Sequence, residues 1–401
     1  MVQSEKKESI IKYKLIYTVL ILLVYLLGKS LPLYMIDLSE YVQTNVDAEA
    51  LLVQAISGDI YQCSMFALGI SPYMIASIIV QLISSLRSSD SKARVSPKKM
   101  NRMTLAFTFV IAVFQALYQV QNLKFRVTGD QLLAAQVVVV FEMVAGVMVI
   151  LWLSSRNKQY GIGGQSALIF VNVIDGIIAT LQGHSIQKLL VPLVVSFVVM
   201  VVMVIMENAE KRIPVQRISI HNIYADKNYL AIKLNPIGVM PAMFSTAFFM
   251  LPQLLIAGLK WLFPKNAEVL WWQENMALSK PLGIAVYILI LYCLTIGFSR
   301  VFVNPREITE QFLKSGDSIR NLHAGRDTRK YLSRTINRIS FLSATVMSLC
   351  LGIPMILQMM GDFDSTLVTL PSSIMMLTGI WCNLYREIVA IKDLEAYKPF
   401  V

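Results

Sequence analysis

The side chains able to do chemistry in this sequence are few, and none is arranged for catalysis. Its three histidines, His184, His221 and His323, stand far apart in loop segments. No nucleophile–base pair, HExxH signature, Walker A loop or dinucleotide fingerprint occurs, and YGIGGQS from Tyr160 lacks the preceding strand that a dinucleotide site needs. Cys63, Cys293, Cys350 and Cys382 fall in or beside separate apolar segments without metal-ligand spacing, which makes them packing residues. No catalysis, metal or cofactor is therefore expected of this chain. What remains is binding chemistry. Glu207 to Lys233 carries Glu210-Lys211-Arg212 and Arg217, and Arg300 to Arg338 holds nine basic residues. Arginine presents a rigid fork of donors that matches carboxylates, so both segments suit an acidic partner. They suit equally a topological role against anionic lipid. The net charge of +11 comes without any aromatic-and-basic RNA motif, so no nucleic acid is expected.

The elements that must position these groups are membrane spans. At 401 residues, 56% hydrophobic and 15% charged, with a mean hydropathy of +0.60, the chain is too apolar for a soluble enzyme of its size. The first apolar run, Leu15 to Leu27, has no small-residue cleavage site and reads as a first helix, not a signal peptide. Apolar runs give ten spans, at about 15 to 36, 62 to 85, 104 to 121, 134 to 154, 164 to 181, 189 to 206, 236 to 259, 282 to 301, 336 to 357 and 366 to 385. With both termini in the cytoplasm, 29 lysines and arginines fall on the cytoplasmic side and 7 on the outer side, which sets the orientation. Phe66 to Leu86 is long enough to cross, but Ser71-Pro72 sits in its first turns, so a broken helix mouth is expected near Gly69 to Pro72. Such a break is tolerated in a bilayer only against protein or a water-filled cavity. A Pro-kinked packing helix is the plainer alternative.

The segment ALGISPYMIASIIVQLI resembles the second transmembrane helix of the SecY family, the channel subunit of the Sec protein-conducting translocon. YGIGGQSALIF (Tyr160 to Phe170), KRIPVQ (Lys211 to Gln216), LAIKLNPIGVMPAMF (Leu230 to Phe244) and VNPREITEQFLKSG (Val303 to Gly316) agree with that family in order. Short loops and a clipped carboxyl end are most similar to the accessory SecY branch of Gram-positive bacteria. The resemblance implies an all-α polytopic fold in which two inverted five-helix halves, residues 1–183 and 184–401, surround a central pore. It also turns Val46 to Gly58, by composition an external amphipathic helix, into the plug of that pore.

Carried over by position, the pore ring falls on Ile70, Met74, Phe170, Met243 and Met376, all bulky and apolar. Such a ring dewets and blocks ions while yielding to a polypeptide. Family rings are rich in isoleucine; three methionines here give a more adaptable one. The lateral gate falls on Ile75, Gln115 and Asn235, with Ile75 standing where the family carries a polar residue. Gln115 serves equally as a packing hydrogen-bond donor. Docking of the SecA motor falls on Arg212, Arg217, Arg306, Lys314, Arg320, His323, Arg326, Arg329 and Lys330. After Lys314-Ser315-Gly316 the family's Pro-Gly-x-Arg-Pro-Gly gives way to Arg320 through Gly325, with His323 in place of the arginine, which points to a dedicated accessory SecA. The partners implied are that ATPase, small SecE-like and SecG-like subunits, membrane lipid and an unfolded exported polypeptide, serine-rich glycoproteins included. The function implied is passive conduction of polypeptide across the plasma membrane. A ten-span secondary transporter of a small solute is the alternative, and it would need ionisable groups within spans, of which Glu142 is the one well inside.

Overall fold

The computed structural model describes residues 2–37, 63–86, 96–127, 129–182, 186–217, 228–263, 266–278, 280–319, 322, 323, 325–359 and 367–396. Their helices are α1 (Val2–Ser30), α2 (Ser71–Leu86), α3 (Pro97–Asn122), α4 (Asp130–Tyr160), α5 (Gln165–Gln182), α6 (Ile186–Asn208), α7 (Met240–Leu262), α8 (Ala267–Asn275), α9 (Pro281–Phe302), α10 (Pro305–Ser315), α11 (Arg326–Met359) and α12 (Thr369–Ala396). Eight of them, α1, α3, α4, α6, α7, α9, α11 and α12, are long and apolar enough to cross a membrane. The shorter apolar α2 and α5 occupy the second and fifth expected positions. The plug segment, residues 46–58, lies outside the described residues.

Local sequence sets where these helices start. The span expected from residue 62 becomes helical only at Ser71, because Gly69 takes a left-handed φ of 53° and Pro72 follows in the first turn. The chain ahead of it is pinned by backbone bonds instead: Leu33 N–H donates to the Cys63 carbonyl at 2.9 Å and Met65 N–H to that of Leu31 at 3.0 Å. At α3, Ser96 caps with its Oγ accepting from Lys99 N–H at 3.3 Å, and Pro97 fills a first-turn position that needs no donor. At α10, Asn304 accepts from Arg306 N–H at 3.1 Å, and Gly316, at φ 73°, ends the helix.

Among the elements before residue 183, α2 packs on α3, α3 on α4, and α1 on α4 and α5; after it, α9 packs on α11 and α7, and α6 on α12. Two joins connect these groups. On one side α12 lies against α5 and α1, and on the other α7 lies against α2 and α3.

The mostly helical fold also carries one small sheet. β1 (Glu210–Arg217), β2 (Tyr229–Lys233) and β3 (Asp317–Ile319) form an antiparallel sheet in the order β2-β1-β3, with Ile213 opposite Leu230 and Val215 opposite Ile319. Its apolar face, Ile213, Ile232 and Ile319, packs on Leu332, Ile336 and Ile339 of α11. Helix α11 thus starts at Arg326, well before the span expected at 336, and the stretch Arg300 to Arg338 is helix, strand and helix where a loop was expected.

Candidate functional site

Four of the five expected ring residues come from three helices and the turn before α2 into one buried cluster. Ile70, Met74, Met243 and Met376 are all buried in it, Met74 with no exposed surface. Phe170 is partly buried and packs against the same cluster from its edge. Its ring stacks on Trp381 with centroids 6.1 Å apart, and both line an apolar cavity of about 200 Å³ with Leu15, Leu22 and Leu384. Successive helical residues are turned about a quarter of a circle or more, so when Phe170 faces α1 and α12 its neighbours face inward. Leu168, Ile169 and Val173 are the α5 residues buried in the cluster.

The join of α2 and α3 with α7 is closed by a polar chain one residue deep. Gln115 Nε2 of α3 donates to Ser71 Oγ of α2 at 3.4 Å, and Ser71 Oγ donates to Met250 Sδ of α7 at 3.6 Å. Gln115 Oε1, buried, has no partner among the described residues. Ile75 is fully buried. Asn235 is not part of this chain. It precedes α7, and its Nδ2 donates to Glu207 Oε1 at 3.3 Å while its Oδ1 accepts from Ser343 Oγ of α11 at 3.2 Å.

Asn235 thereby belongs to a network that the sequence does not announce. Glu207 closes α6 with a side chain only 1% exposed, and Arg386 of α12 meets it: Nη1 lies 3.0 Å from Glu207 Oε2, and Nη2 donates to the Glu207 carbonyl. Four elements, α6, the approach to α7, α11 and α12, are so tied at the sheet end. Nearby in β2, burial, with the Arg386 guanidinium adding to it, lowers the pKa of the Lys233 amine. A second pairing joins α1 to α5, where Asn172 Nδ2 donates to Tyr25 Oη at 2.8 Å and Lys29 pairs with Asp175. In sequence all of these are single polar residues, and apart from Asn235 and Glu207, which are 28 positions apart, they meet partners more than a hundred positions away.

The basic residues fall into an order that a loop would not give. Arg326, Arg329, Lys330, Ser333, Arg334 and Asn337 recur every three or four positions along α11 and line an open groove of about 450 Å³. Among the described residues that line it, none is acidic. Arg300 of α9 reaches Asn337 Oδ1 at 2.9 Å, extending the groove toward α9. Arg306 and Lys314 lie on α10, Arg306 with Glu310 at 3.7 Å, and His323 is exposed between β3 and α11. Arg212 of β1 is held by Glu210 at 2.8 Å and lies over the Tyr229 ring; the hydrogen bond to Glu210 raises its already high pKa. Arg320 and the Arg217 side chain lie outside the described residues.

Comparison with known proteins agrees with this arrangement. The family model described as SecY matches residues 64–385. An accessory Sec system protein translocase subunit SecY2 of Streptococcus salivarius is 30% identical over 401 residues, covering 98% of this chain and 98% of that protein. Its counterpart in Leuconostoc gelidum subsp. gasicomitatum is 27% identical over 402 residues, covering 96% and 95%. A solved structure described as that of a protein conducting channel superposes with a TM-score of 0.68 at 16% identity, covering 96% of this chain and 93% of that one. Sec61 in the canine ribosome-channel complex does so with a TM-score of 0.62 at 16% identity, again covering 96% and 93%.

Proposed function

The chain belongs to the SecY family, and from that premise we propose that it is the channel subunit of an accessory Sec export pathway, passing unfolded polypeptide across the plasma membrane. The observation that carries this reading is the buried apolar cluster that draws Ile70, Met74, Met243 and Met376 together beside a join sealed by Gln115, Ser71 and Met250. A dewetted apolar constriction beside a weakly bonded helix contact is what a pore needs if it must hold back ions and also part sideways. From α5 we assign Ile169, fully buried in the cluster, beside the partly buried Phe170. The two groups of elements, residues 1–183 and 184–401, are the two halves, and α7 against α2 and α3 is the gate. Glu142, which a solute transporter would need as a coupling group, accepts the Tyr34 backbone N–H at 2.9 Å and so holds an external turn. That use favours the channel over the transporter.

Energy then comes from a partner. A dedicated SecA-type ATPase is assigned to the basic stripe of α11 together with α10 and the sheet. SecE-like and SecG-like subunits, each a short apolar span, have the cavity lined by Phe170 and Trp381 as a seat on the lipid-facing surface. The 29 to 7 distribution of basic residues supports a cytoplasmic position for the sheet and both termini. The direct test is reconstitution into sealed vesicles with a SecA-type ATPase and an unfolded precursor. ATP-dependent protection of the precursor from added protease is expected; uptake of a labelled small solute with no such protection would overturn the assignment.

Docking has its own test. Reversing Arg326 and Arg329 to glutamate is expected to weaken ATPase binding by an order of magnitude or more at low salt and by much less at high salt, since exposed charges are screened beyond about 10 Å at 0.1 M. Span topology survives because seven of the nine basic residues between Arg300 and Arg338 remain. Titration of the motor against reconstituted channels reads the effect, and equal affinities at both salts would leave the stripe a topological anchor.

A further inference from the structure

Helix α8 is formed without a core to form on. It has nine residues, none of them buried, and it carries Leu270, Trp271 and Trp272 on its surface, the two tryptophans 52% and 45% exposed. Helices shorter than about 12–15 residues are marginal in water. Yet this one is fully capped: Asn266 Oδ1 accepts from Glu268 N–H at 3.0 Å, Asn275 Nδ2 donates to the Trp271 carbonyl at 2.9 Å, and the indoles pack edge to face at 5.6 Å. Its position supplies what the core does not. Because the sheet sits where α6 ends and α7 begins, α8, which joins the far ends of α7 and α9, lies at the opposite face. There Leu255 and Leu259 of α7, Phe263 just after it, and Leu270 and Trp271 of α8 are all exposed apolar residues. Exposed Lys260 and Lys280 flank it at the ends of the adjoining helices. Indole rings with cations beside them at the ends of apolar helices are the composition of the membrane–water interface, where an apolar body and a polar edge are both satisfied.

We propose that α8 lies in the headgroup layer of the leaflet facing away from the sheet, anchored by Trp271 and Trp272, and that through its packing on α7 it fixes the depth of the far end of that helix. The proposal rests on the chain being a multi-pass membrane protein and not on the channel reading, so the two can fail separately. The test uses full-length protein in phosphatidylglycerol vesicles with Trp152, Trp261 and Trp381 changed to phenylalanine. Blue-shifted emission from Trp271 and Trp272, strongly quenched by lipids brominated near the headgroup, less by lipids brominated deep in the chain, and spared by aqueous iodide, is expected. Quenching by iodide alone would place α8 in water, as for a helix covered by another protein, and would overturn the proposal. Depth control is read with a single cysteine at Leu259 in a background lacking the native four. Labelling by a membrane-impermeant thiol reagent should rise in W271A/W272A and return to the parent level in W271F/W272F. Labelling that is the same in all three would remove the depth-setting role.

Discussion

Arg386→Ala should be the most destabilising single change in the protein outside the tightly packed cluster, at about 3–5 kcal/mol, the usual cost of stranding one member of a buried ion pair. Glu207 would keep its burial and lose both contacts from Arg386, with Asn235 as its remaining donor among the described residues. The paired replacement Glu207→Leu with Arg386→Met removes both charges and should recover most of the loss, since a well-packed apolar pair of similar volume is often neutral or better. Thermal unfolding in detergent reads both variants. An Arg386→Ala protein within about 0.5 kcal/mol of the parent, the usual range for unimportant surface positions, would show that the four elements are held by packing alone.

The second large effect concerns the seal. Replacing Met74 and Met243 together by glycine deletes two fully or nearly buried side chains of the cluster, one from α2 and one from α7. The space left cannot collapse completely, because each wall is a helix packed on others, and a widened apolar constriction loses its dewetted state. Steady ion leakage across planar bilayers is the expected result. The volume-matched control, Met74→Leu with Met243→Leu, should stay tight. If the glycine variant is folded and no leakier than the parent, the barrier lies elsewhere in the molecule.

Much of this architecture can be read from the residues, and where it cannot the reason is physical. Gly69 and Pro72 announce the late start of α2, because left-handed backbone and a missing donor are properties of single residues. The strands are written as period-two alternation too, in Arg212-Ile213-Pro214-Val215-Gln216 and Leu230-Ala231-Ile232, but charges and a proline surround so short a pattern that it reads as a loop until Ile319 and α11 supply its other face. Phe170 shows how fine such a placement is: Ile169 is fully buried in the cluster, while Phe170 is only partly buried against it and stacks on Trp381. Glu207 and Arg386 show another. An ion pair between positions 179 apart leaves no local trace, since each partner alone is an ordinary charge at the margin of an apolar run.

The sheet has a mechanical consequence. All three strands, and the stripe on α11 beside them, belong to the chain after Asn208, so a partner seated there grips one side of the molecule only. A push delivered at that grip is off-centre with respect to the two joins, α5 with α12 and α7 with α2 and α3, and acts as a torque. The α5–α12 join, where Phe170 stacks on Trp381, would then act as the pivot. The opposite join is held at its polar chain by the weak 3.4 Å and 3.6 Å contacts of Ser71, and it is the one that a turning load would prise apart.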